Sequence, residues 1–298
     1  MISRIITAWE EPIELEECLN RVLNQDIKQE YEIWITCPDE PTKRVVMNYK
    51  KKYPNKINFL HQPKEKGKNE MLNILSKKAK GELLIFTDGD VFFEKSTIRE
   101  ILKEFDNPKI GCATGRIKSS NSKKNIFGYW SHLLTDAGAN NIRKERAKKG
   151  QFIELSAYLM VIRNGIIGDI PLNVAEDAII AAIFWKKGYK IGYAENALAF
   201  VKYPNSLRDW INQKVRTAKA HETLNNYIKV PRMKSFSMEI AKGIYWALAY
   251  PKNFREFIWT LLLFPLRLYT WLQFFYRTRI NKDHYGETWN KIHSNRSS

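Results

Sequence analysis

About the first ninety residues alternate short apolar runs with stretches of helical spacing, and this alternation restricts the fold more than any other feature. Short apolar runs bounded by polar residues, Gly or Pro predict buried strands. Strands separated by helices form right-handed βαβ units, so we predict an α/β protein with a mostly parallel, Rossmann-like sheet flanked by helices. Strands are predicted over residues 3–8, 31–37, 57–61 and 83–87, and helices over 12–24, 42–53 and 69–80.

The second half of the chain is less regular. Strands are predicted over residues 111–115 and 152–163, with two short extended pieces over 189–194 and 197–203. Helices are predicted over 97–105, 176–187 and 207–224. After residue 236 the composition becomes aromatic, aliphatic and basic. We therefore predict a catalytic domain over 1–230 and a helical, membrane-associating tail over 231–298, with the boundary near Pro231.

Asp88-Gly89-Asp90 directly follows the apolar run 83–87. Parallel sheets bind ligands beyond the carboxyl ends of their strands, and Gly89 lets the backbone turn there. Two converging carboxylates repel each other unless a cation lies between them, and oxygen ligands favour Mg²⁺ or Mn²⁺. An ordinary surface turn is the alternative, because Asp and Gly are common turn residues.

Two further pairs are candidates for chemistry. Gly67-Lys68 opens a predicted helix and offers main-chain N–H groups and one positive charge to a phosphate, although the spacing is not that of a P-loop. Glu176-Asp177 begins another helix. Carboxylates at that position are favoured by the helix dipole alone, or Asp177 serves as a general base for an acceptor hydroxyl.

These three features, in this order, resemble the family 2 glycosyltransferases of the GT-A fold over about residues 1–225. Together their order and spacing are specific, although each motif alone is weak. The matching positions are Thr7-Ala8-Trp9-Glu10-Glu11, Gly67-Lys68 through Leu72-Asn73, Gly81-Glu82, Asp88-Gly89-Asp90, Gly115, the run ending at Arg163, and Glu176-Asp177.

The resemblance implies a nucleotide diphosphate sugar donor whose diphosphate binds Mn²⁺ or Mg²⁺. Asp90 would ligate this metal, and Asp88 would share it or hold the ribose. Glu11 and Lys68 would line the nucleotide pocket. Asp177 would activate the acceptor for in-line attack at the anomeric carbon, which a single displacement inverts.

The sequence departs from the family pattern at three positions. The family often holds the nucleotide base with paired aspartates after the second strand, and here Asp39 is the nearest candidate, in a shifted register. Processive members carry Gln-x-x-Arg-Trp, whereas residues 213–217 read Gln-Lys-Val-Arg-Thr, which predicts a non-processive enzyme with Arg216 near the diphosphate. His221 lies where some GT-A enzymes place a third metal ligand, and a structural histidine is the alternative.

The formal net charge of +17 predicts an anionic partner such as nucleotide phosphates or an acidic membrane surface. No nucleic-acid-binding motif is present, so nucleic acid is not an expected partner. Three widely spaced cysteines without a CxxC pair argue against a zinc site and favour a reducing, cytosolic setting. The polar first residues do not resemble a signal peptide. We expect the protein at the cytoplasmic side of the cell membrane.

Residues 257–276 form an apolar and aromatic run that is long enough to span a bilayer. Pro265 and Arg267 lie at its middle, and a central arginine costs roughly 2.5–3.5 kcal/mol on insertion scales. Basic residues flank both ends. We therefore predict a peripheral or re-entrant association. A single membrane pass and a soluble helical subdomain are the alternatives.

The predicted function is inverting transfer of a sugar to an acceptor hydroxyl or a lipid-linked acceptor. Two other classes remain open. A sugar-phosphate nucleotidyltransferase would carry a Gly-rich, Arg-containing N-terminal loop, and residues 6–12 contain no glycine. A non-catalytic basic protein bound to membrane or nucleic acid would not need the acidic residues in their matching places.

Overall fold

The computed structural model of this chain describes residues 1–61, 67–231, 233 and 243–280. Its strands are β1 (Ile2–Thr7), β2 (Tyr31–Cys37), β3 (Ile57–His61), β4 (Leu83–Asp88), β5 (Val91–Phe93), β6 (Ile110–Ser119), β7 (Met160–Arg163) and β8 (Lys190–Val201). They form one sheet in the order β3-β2-β1-β4-β7-β6-β8-β5. Strands β1 to β4 pair in parallel, as does β6 with β8, while β7 and β5 pair antiparallel with their neighbours.

Helices cover both faces of this sheet. The α-helices are α1 (Pro12–Leu23), α2 (Glu40–Lys52), α3 (Lys68–Lys78), α4 (Thr97–Leu102), α5 (Ile126–Leu133), α6 (Asn141–Lys148), α7 (Glu176–Lys186), α8 (Leu207–Leu224), α9 (Ile244–Ala249) and α10 (Phe254–Phe275). A 3₁₀ turn covers Lys103–Asp106, and π-helical segments cover Leu134–Asn140 and Tyr276–Ile280.

Alternating side chains of the central strands enter two different apolar layers. In β1, Ile6 packs with α1 and α2, while Ile5 packs on the other face with α3 and α7. In β4, Ile85 and Phe86 divide in the same way. A strand buried on both faces reads as a continuous apolar run, which is why periodicity identified these strands. The prediction of a helix-flanked, mostly parallel α/β sheet is confirmed.

The strand predicted over residues 152–163 is wrong over most of its length, because within this range only β7 pairs with the neighbouring strands β4 and β6. The guanidinium of Arg143 donates to the carbonyls of Glu154 and Leu155 at 2.9 and 3.0 Å. The main-chain N–H of Ser156 donates to Thr114 Oγ1 at 3.1 Å. Side chains therefore take up main-chain groups that a strand would offer to its neighbour.

Two other strands in this half of the sheet differ from the prediction. The extended pieces predicted over 189–194 and 197–203 are one strand, β8, which follows β6 through a register irregularity between Gly115 and Arg116. Such a bulge lets the long strand β8 bend with its partner instead of ending. Strand β5 was not predicted, because a strand of only three residues has no recognisable sequence pattern.

The C-terminal helix α10 packs against α5 and α8 of the sheet domain. Tyr129, Trp130, Trp210 and Leu263 form a buried cluster between them. The hydroxyls of Tyr129 and Thr260 lie 2.7 Å apart. Trp130 Nε1 also donates to the carbonyl of Trp259 at 2.6 Å. The domain boundary near Pro231 stays a prediction, and the tail helix shares an aromatic core with the domain before it.

Candidate active site

The carboxyl ends of β1 and β4 meet at Thr7 and Asp88, which are register partners. Thr7 Oγ1 donates to Asp88 Oδ1 at 3.0 Å, and the N–H of Gly89 donates to the carbonyl of Thr7 at 2.9 Å. A Cβ added to Gly89 would lie 2.7 Å from the Cβ of Ala8 and 3.0 Å from Glu11 Oε2. Glycine therefore lets the loop after β1 approach closely and brings the Glu11 carboxylate against the Asp-Gly-Asp turn.

The loop after β1 is held by Asp39. Its Oδ1 accepts from the N–H of Glu10 at 2.7 Å, and its Oδ2 accepts from the N–H of Thr42 at 3.0 Å as the cap of α2. Glu10 has a φ of 54°, a conformation that costs a non-glycine residue about 1–3 kcal/mol and recurs near functional sites. Asp39, predicted to hold a nucleotide base, thus also fixes the loop that carries Glu11.

Lys68 begins α3 and lies between two carboxylates, one at the end of β4 and one at the start of α7. Its Nζ is 2.5 Å from Asp88 Oδ1 and 2.7 Å from Glu176 Oε1, and its side chain is 9% exposed. Burial would lower the pKa of Lys68, but the two carboxylates outweigh burial and raise it. For Glu176, burial raises the pKa, but Lys68 outweighs this effect and leaves the pKa lowered. Lys68 and Glu176 are therefore charged at neutral pH, and Lys68 joins Glu176 and Asp88 in one ion cluster.

Among the residues that the structure describes, no basic side chain forms an ion pair with Asp90. Burial raises its pKa to about 7, and Asp88 adds to this effect, while the more distant Lys68 opposes it. Burial also raises the pKa of the Cys18 thiol beneath the turn, and Asp90 and Glu11 add to it. The turn is therefore a concentrated negative site, and a cation bound there would relieve the repulsion.

The oxygen donors of this turn fit a divalent cation. Mg²⁺ and Mn²⁺ commonly bind one or two carboxylates together with substrate phosphates and water. Within the described part of the chain, no group of three Asp, Glu, His or Cys side chains is placed to hold a metal by itself. Asp88 and Asp90 would therefore share such an ion with a bound diphosphate. The His221 side chain, the third candidate ligand, lies outside the described residues.

Asp177 follows Glu176 in the first turn of α7. Glu176 is 7% exposed and paired with Lys68, whereas Asp177 is only half-buried. The two neighbouring carboxylates therefore differ in exposure, although the sequence gives no reason to distinguish them. Glu176 belongs to the ion cluster, and Asp177 is the more accessible one.

Helix α3 also holds the loop that leads into α7. The buried Asn69 donates from Nδ2 to the carbonyls of Pro171 and Val174 at 2.6 and 2.8 Å. One turn later, Asn73 donates to the carbonyl of Ile170 at 2.8 Å and accepts from its N–H at 2.7 Å. Asparagine is a poor helix former, so two asparagines on one face of a helix indicate that their side chains bind other segments. The sequence alone did not show which segments these are. We call these contacts the asparagine latch.

Arg216 of α8 and Tyr158 complete the neighbourhood. Burial raises the pKa of Tyr158, and Asp90 adds to this, whereas the positive charge of Arg216 lowers it. Arg216 also lowers the pKa of Glu176, although more weakly than Lys68 does. Arg216 thus lies within electrostatic range of the cluster, and its role near a diphosphate stays a prediction. Tyr158 had no sequence signal, because its position depends on the irregular segment before β7.

The site thus combines a metal-compatible carboxylate pair, a buried lysine and an accessible carboxylate. The sequence matches the family described as glycosyl transferase family 2 over residues 3–170. Among curated proteins it is similar to an N-acetylglucosaminyltransferase of Rhizobium sp. (strain N33), 21% identical over 238 residues, covering 74% of this chain and 52% of the relative. It is also similar to poly-beta-1,6-N-acetyl-D-glucosamine synthase of Staphylococcus aureus (strain COL), 23% identical over 249 residues, covering 80% and 59%. The chain spans about half the length of the curated relatives that it matches.

Two solved structures share the fold. One is the mannosyltransferase PcManGT from Pyrobaculum calidifontis in complex with GDP-Man and Mn²⁺, with a TM-score of 0.61 and 17% identity, covering 94% of this chain and 81% of that one. The other is S. aureus TarS 1–349, with a TM-score of 0.53 and 15% identity, covering 94% and 75%.

Proposed function

Because this chain belongs to glycosyl transferase family 2, we propose that it transfers a sugar from a nucleotide diphosphate sugar to an acceptor hydroxyl, with inversion at the anomeric carbon. Its fold is GT-A. The observation that carries the proposal is the Asp88-Gly89-Asp90 turn beside Lys68 and Glu176-Asp177, at the edge where parallel sheets bind ligands. Family membership favours this activity over nucleotidyl transfer and over a non-catalytic role.

We assign the donor diphosphate to the turn. Asp90 and Asp88 would hold Mn²⁺ or Mg²⁺, which supplies a Lewis acid that stabilises the charge developing on the leaving nucleotide diphosphate. The solved mannosyltransferase complex with GDP-Man and Mn²⁺ supports this choice of donor and metal. Lys68 keeps Asp88 in place, and Arg216 adds a positive charge on the side of α8. Glu11 and Asp39 would contact the nucleoside.

We assign the general base to Asp177. A base must be ionised and within reach of the acceptor hydroxyl, and Asp177 is more accessible than its buried neighbour Glu176. The proton of the acceptor hydroxyl would pass to the Asp177 carboxylate as the acceptor oxygen bonds to the anomeric carbon. The bond between that carbon and the diphosphate breaks in the same displacement.

Donor binding tests the proposal directly. Nucleotide diphosphate sugars are expected to raise the melting temperature only when Mn²⁺ or Mg²⁺ is present, because the ligand completes the metal coordination. At about 100 times Kd, mass action adds about 2.7 kcal/mol of stability, or roughly 5–10 °C. A thermal-shift panel of nucleotide diphosphate sugars, each with metal and with chelator, measures this. Nucleoside monophosphates are the control, and a panel without any metal-dependent shift would contradict the proposal.

For the acceptor we propose a chemical class, and for the protein a location at a membrane surface. The similarity to N-acetylglucosaminyltransferases supports a glycan or lipid-linked acceptor. Helix Phe254–Ile280 is long and apolar enough to cross a membrane by length and composition, which supports an anionic membrane surface as a partner. The three cysteines are buried and unpaired, which is compatible with the cytoplasmic side. Nucleic acid is not part of the proposal.

Asn69→Ala is expected to lower kcat by about tenfold to a hundredfold while donor affinity changes little. The asparagine latch holds the loop before α7, and a shift of about 1 Å in a positioned group can cost about 10²-fold in rate. Steady-state kinetics with donor binding, both well below the melting temperature, separate this effect from lost stability. Lys77→Ala is the matched control, since it removes only the exposed pair with Asp169. Equal kcat for Asn69→Ala and wild type would remove the positioning role.

A further inference from the structure

We infer that the outward face of α9 and α10 lies flat in one leaflet of an anionic bilayer while the opposite face of α10 stays docked on the catalytic domain. This deepens the membrane partnership proposed above and rests on it. Its test measures lipid binding separately from donor binding, so the two proposals can fail independently.

The inward face of α10 is a buried stripe at helical spacing. Thr260, Leu263, Thr270 and Phe274 are buried, and two of these four side chains are polar. Thr260 pairs with Tyr129, and Leu263 belongs to the aromatic cluster on α5 and α8. This stripe is a tertiary interface that already has its partner.

The outward face of α10 is apolar beyond its first turn, where Arg255 is exposed. Its exposed large apolar residues are Phe254, Phe257, Ile258, Leu261, Leu262, Leu268, Tyr269, Leu272 and Phe275, followed by Tyr276 and Ile280. The helix has 22 residues, so this face extends for roughly 33 Å. Helix α9 adds Ile244, Leu248 and Tyr245, whose side chain is 73% exposed. Monomeric soluble proteins rarely expose a continuous apolar surface of this extent.

Arg267, which argued against membrane insertion on sequence alone, is not one of these outward residues. It is the only charged residue between Phe257 and Tyr276, and it is half-buried. Its position is seven residues after Thr260, so it falls near the inward stripe. The leaflet can therefore receive the outward face without receiving this charge.

Charge favours a bilayer over a second copy of the chain. Lys252 and Arg255 lie at the start of α10, and Arg277 and Arg279 lie just beyond its end. Because both ends are basic, a second copy would bring like charges together in either orientation. Anionic headgroups complement both ends at once, as in helices that lie in the membrane interface.

The contacts of the inward stripe favour the in-plane arrangement over a span. A spanning helix would have to leave α5 and α8, breaking the hydrogen bonds of Tyr129 and Trp130 and exposing their aromatic cluster. An in-plane helix keeps all of these contacts. Only 22% of an 18-residue apolar stretch of this helix is buried, so most of the helix remains available to lipid.

Vesicle flotation of the full chain tests the inference, with phosphatidylcholine vesicles that contain or lack phosphatidylglycerol. Wild type is expected to float with the anionic vesicles and to be released by alkaline carbonate. The outward-face variant Leu261→Glu/Leu268→Glu/Leu272→Glu is expected to bind at least about tenfold more weakly. The control variant Met47→Glu/Leu207→Glu/Tyr227→Glu changes three other exposed apolar residues by the same charge and should float like wild type. Wild-type circular dichroism and cooperative thermal unfolding of both variants, measured without donor, show that each is folded.

Three results would overturn the inference. Equal flotation of the outward-face variant and wild type would show that this face does not contact lipid. Complete resistance of wild type to carbonate would indicate a span. Light scattering that shows a wild-type dimer and a monomeric outward-face variant, without vesicle binding by either, would make a second copy the occupant of this face.

Discussion

Asp90→Ala is expected to reduce sugar transfer by at least about 10³-fold and to abolish the metal dependence of donor binding. Asp90 is a half-buried carboxylate, and burial together with the neighbouring Asp88 raises its pKa to about 7. A metal bound there stabilises the leaving diphosphate, and 10³-fold corresponds to about 4 kcal/mol of transition-state stabilisation. Transfer assays and thermal shifts with nucleotide diphosphate sugar, each across a Mn²⁺ titration, measure both effects.

Asp90 is a cleaner position for this test than Asp88. Asp88 also pairs with Lys68 and accepts from Thr7, so its removal would leave a buried ammonium with one partner fewer. Glu17→Ala is the control, because it removes an exposed carboxylate that pairs with Arg21 one turn away. Near-normal transfer by folded Asp90→Ala would rule out the metal site at this turn.

Asp177→Asn is expected to lower kcat by about 10²–10⁴-fold while leaving donor affinity nearly unchanged. Asparagine has almost the same shape but cannot take the proton from the acceptor, and a positioned acid or base contributes about this factor. Reaction rates at saturating donor and acceptor give kcat, and a separate binding measurement gives the donor affinity. If donor affinity falls as steeply as the rate, Asp177 is a structural residue at the start of α7.

Glu176→Gln provides the contrast at the neighbouring position. It removes one carboxylate from the buried cluster with Lys68, so it should lower the free energy of unfolding by as much as about 3 kcal/mol. Denaturant unfolding distinguishes this stability effect from the rate effect at Asp177.

The anomeric configuration of early product, observed by NMR, tests the mechanism itself: retention of the donor configuration would exclude a single displacement.

Local sequence pattern was sufficient for β1 to β4 and for the Asp-Gly-Asp turn. A strand that is buried on both faces must be apolar throughout, and a carboxylate that ends it must lie at the ligand edge of the sheet. These relations hold within a few residues, so they can be read from the chain directly. The order of the family motifs then extended the prediction to Lys68, Asp177 and Arg216.

Local sequence pattern could not predict contacts between segments that lie far apart in the chain. Asn69 contacts Pro171 across 102 positions, and Lys68 joins the end of β4 to the start of α7. Which of the adjacent Glu176 and Asp177 pairs with Lys68 was equally impossible to predict, because both have the same local signal. Only the path of the chain brings these groups within hydrogen-bonding distance.

The tail shows the same division. Its length, apolar content and basic flanks were visible in the sequence, and they predicted an interfacial helix. Which side of α10 faces the catalytic domain depended on Tyr129, Trp130 and Trp210, which lie far earlier in the chain. Their packing places Arg267 near the docked side and leaves the other side apolar. Periodicity shows that a helix has two faces, but the surface it packs against decides which one is buried.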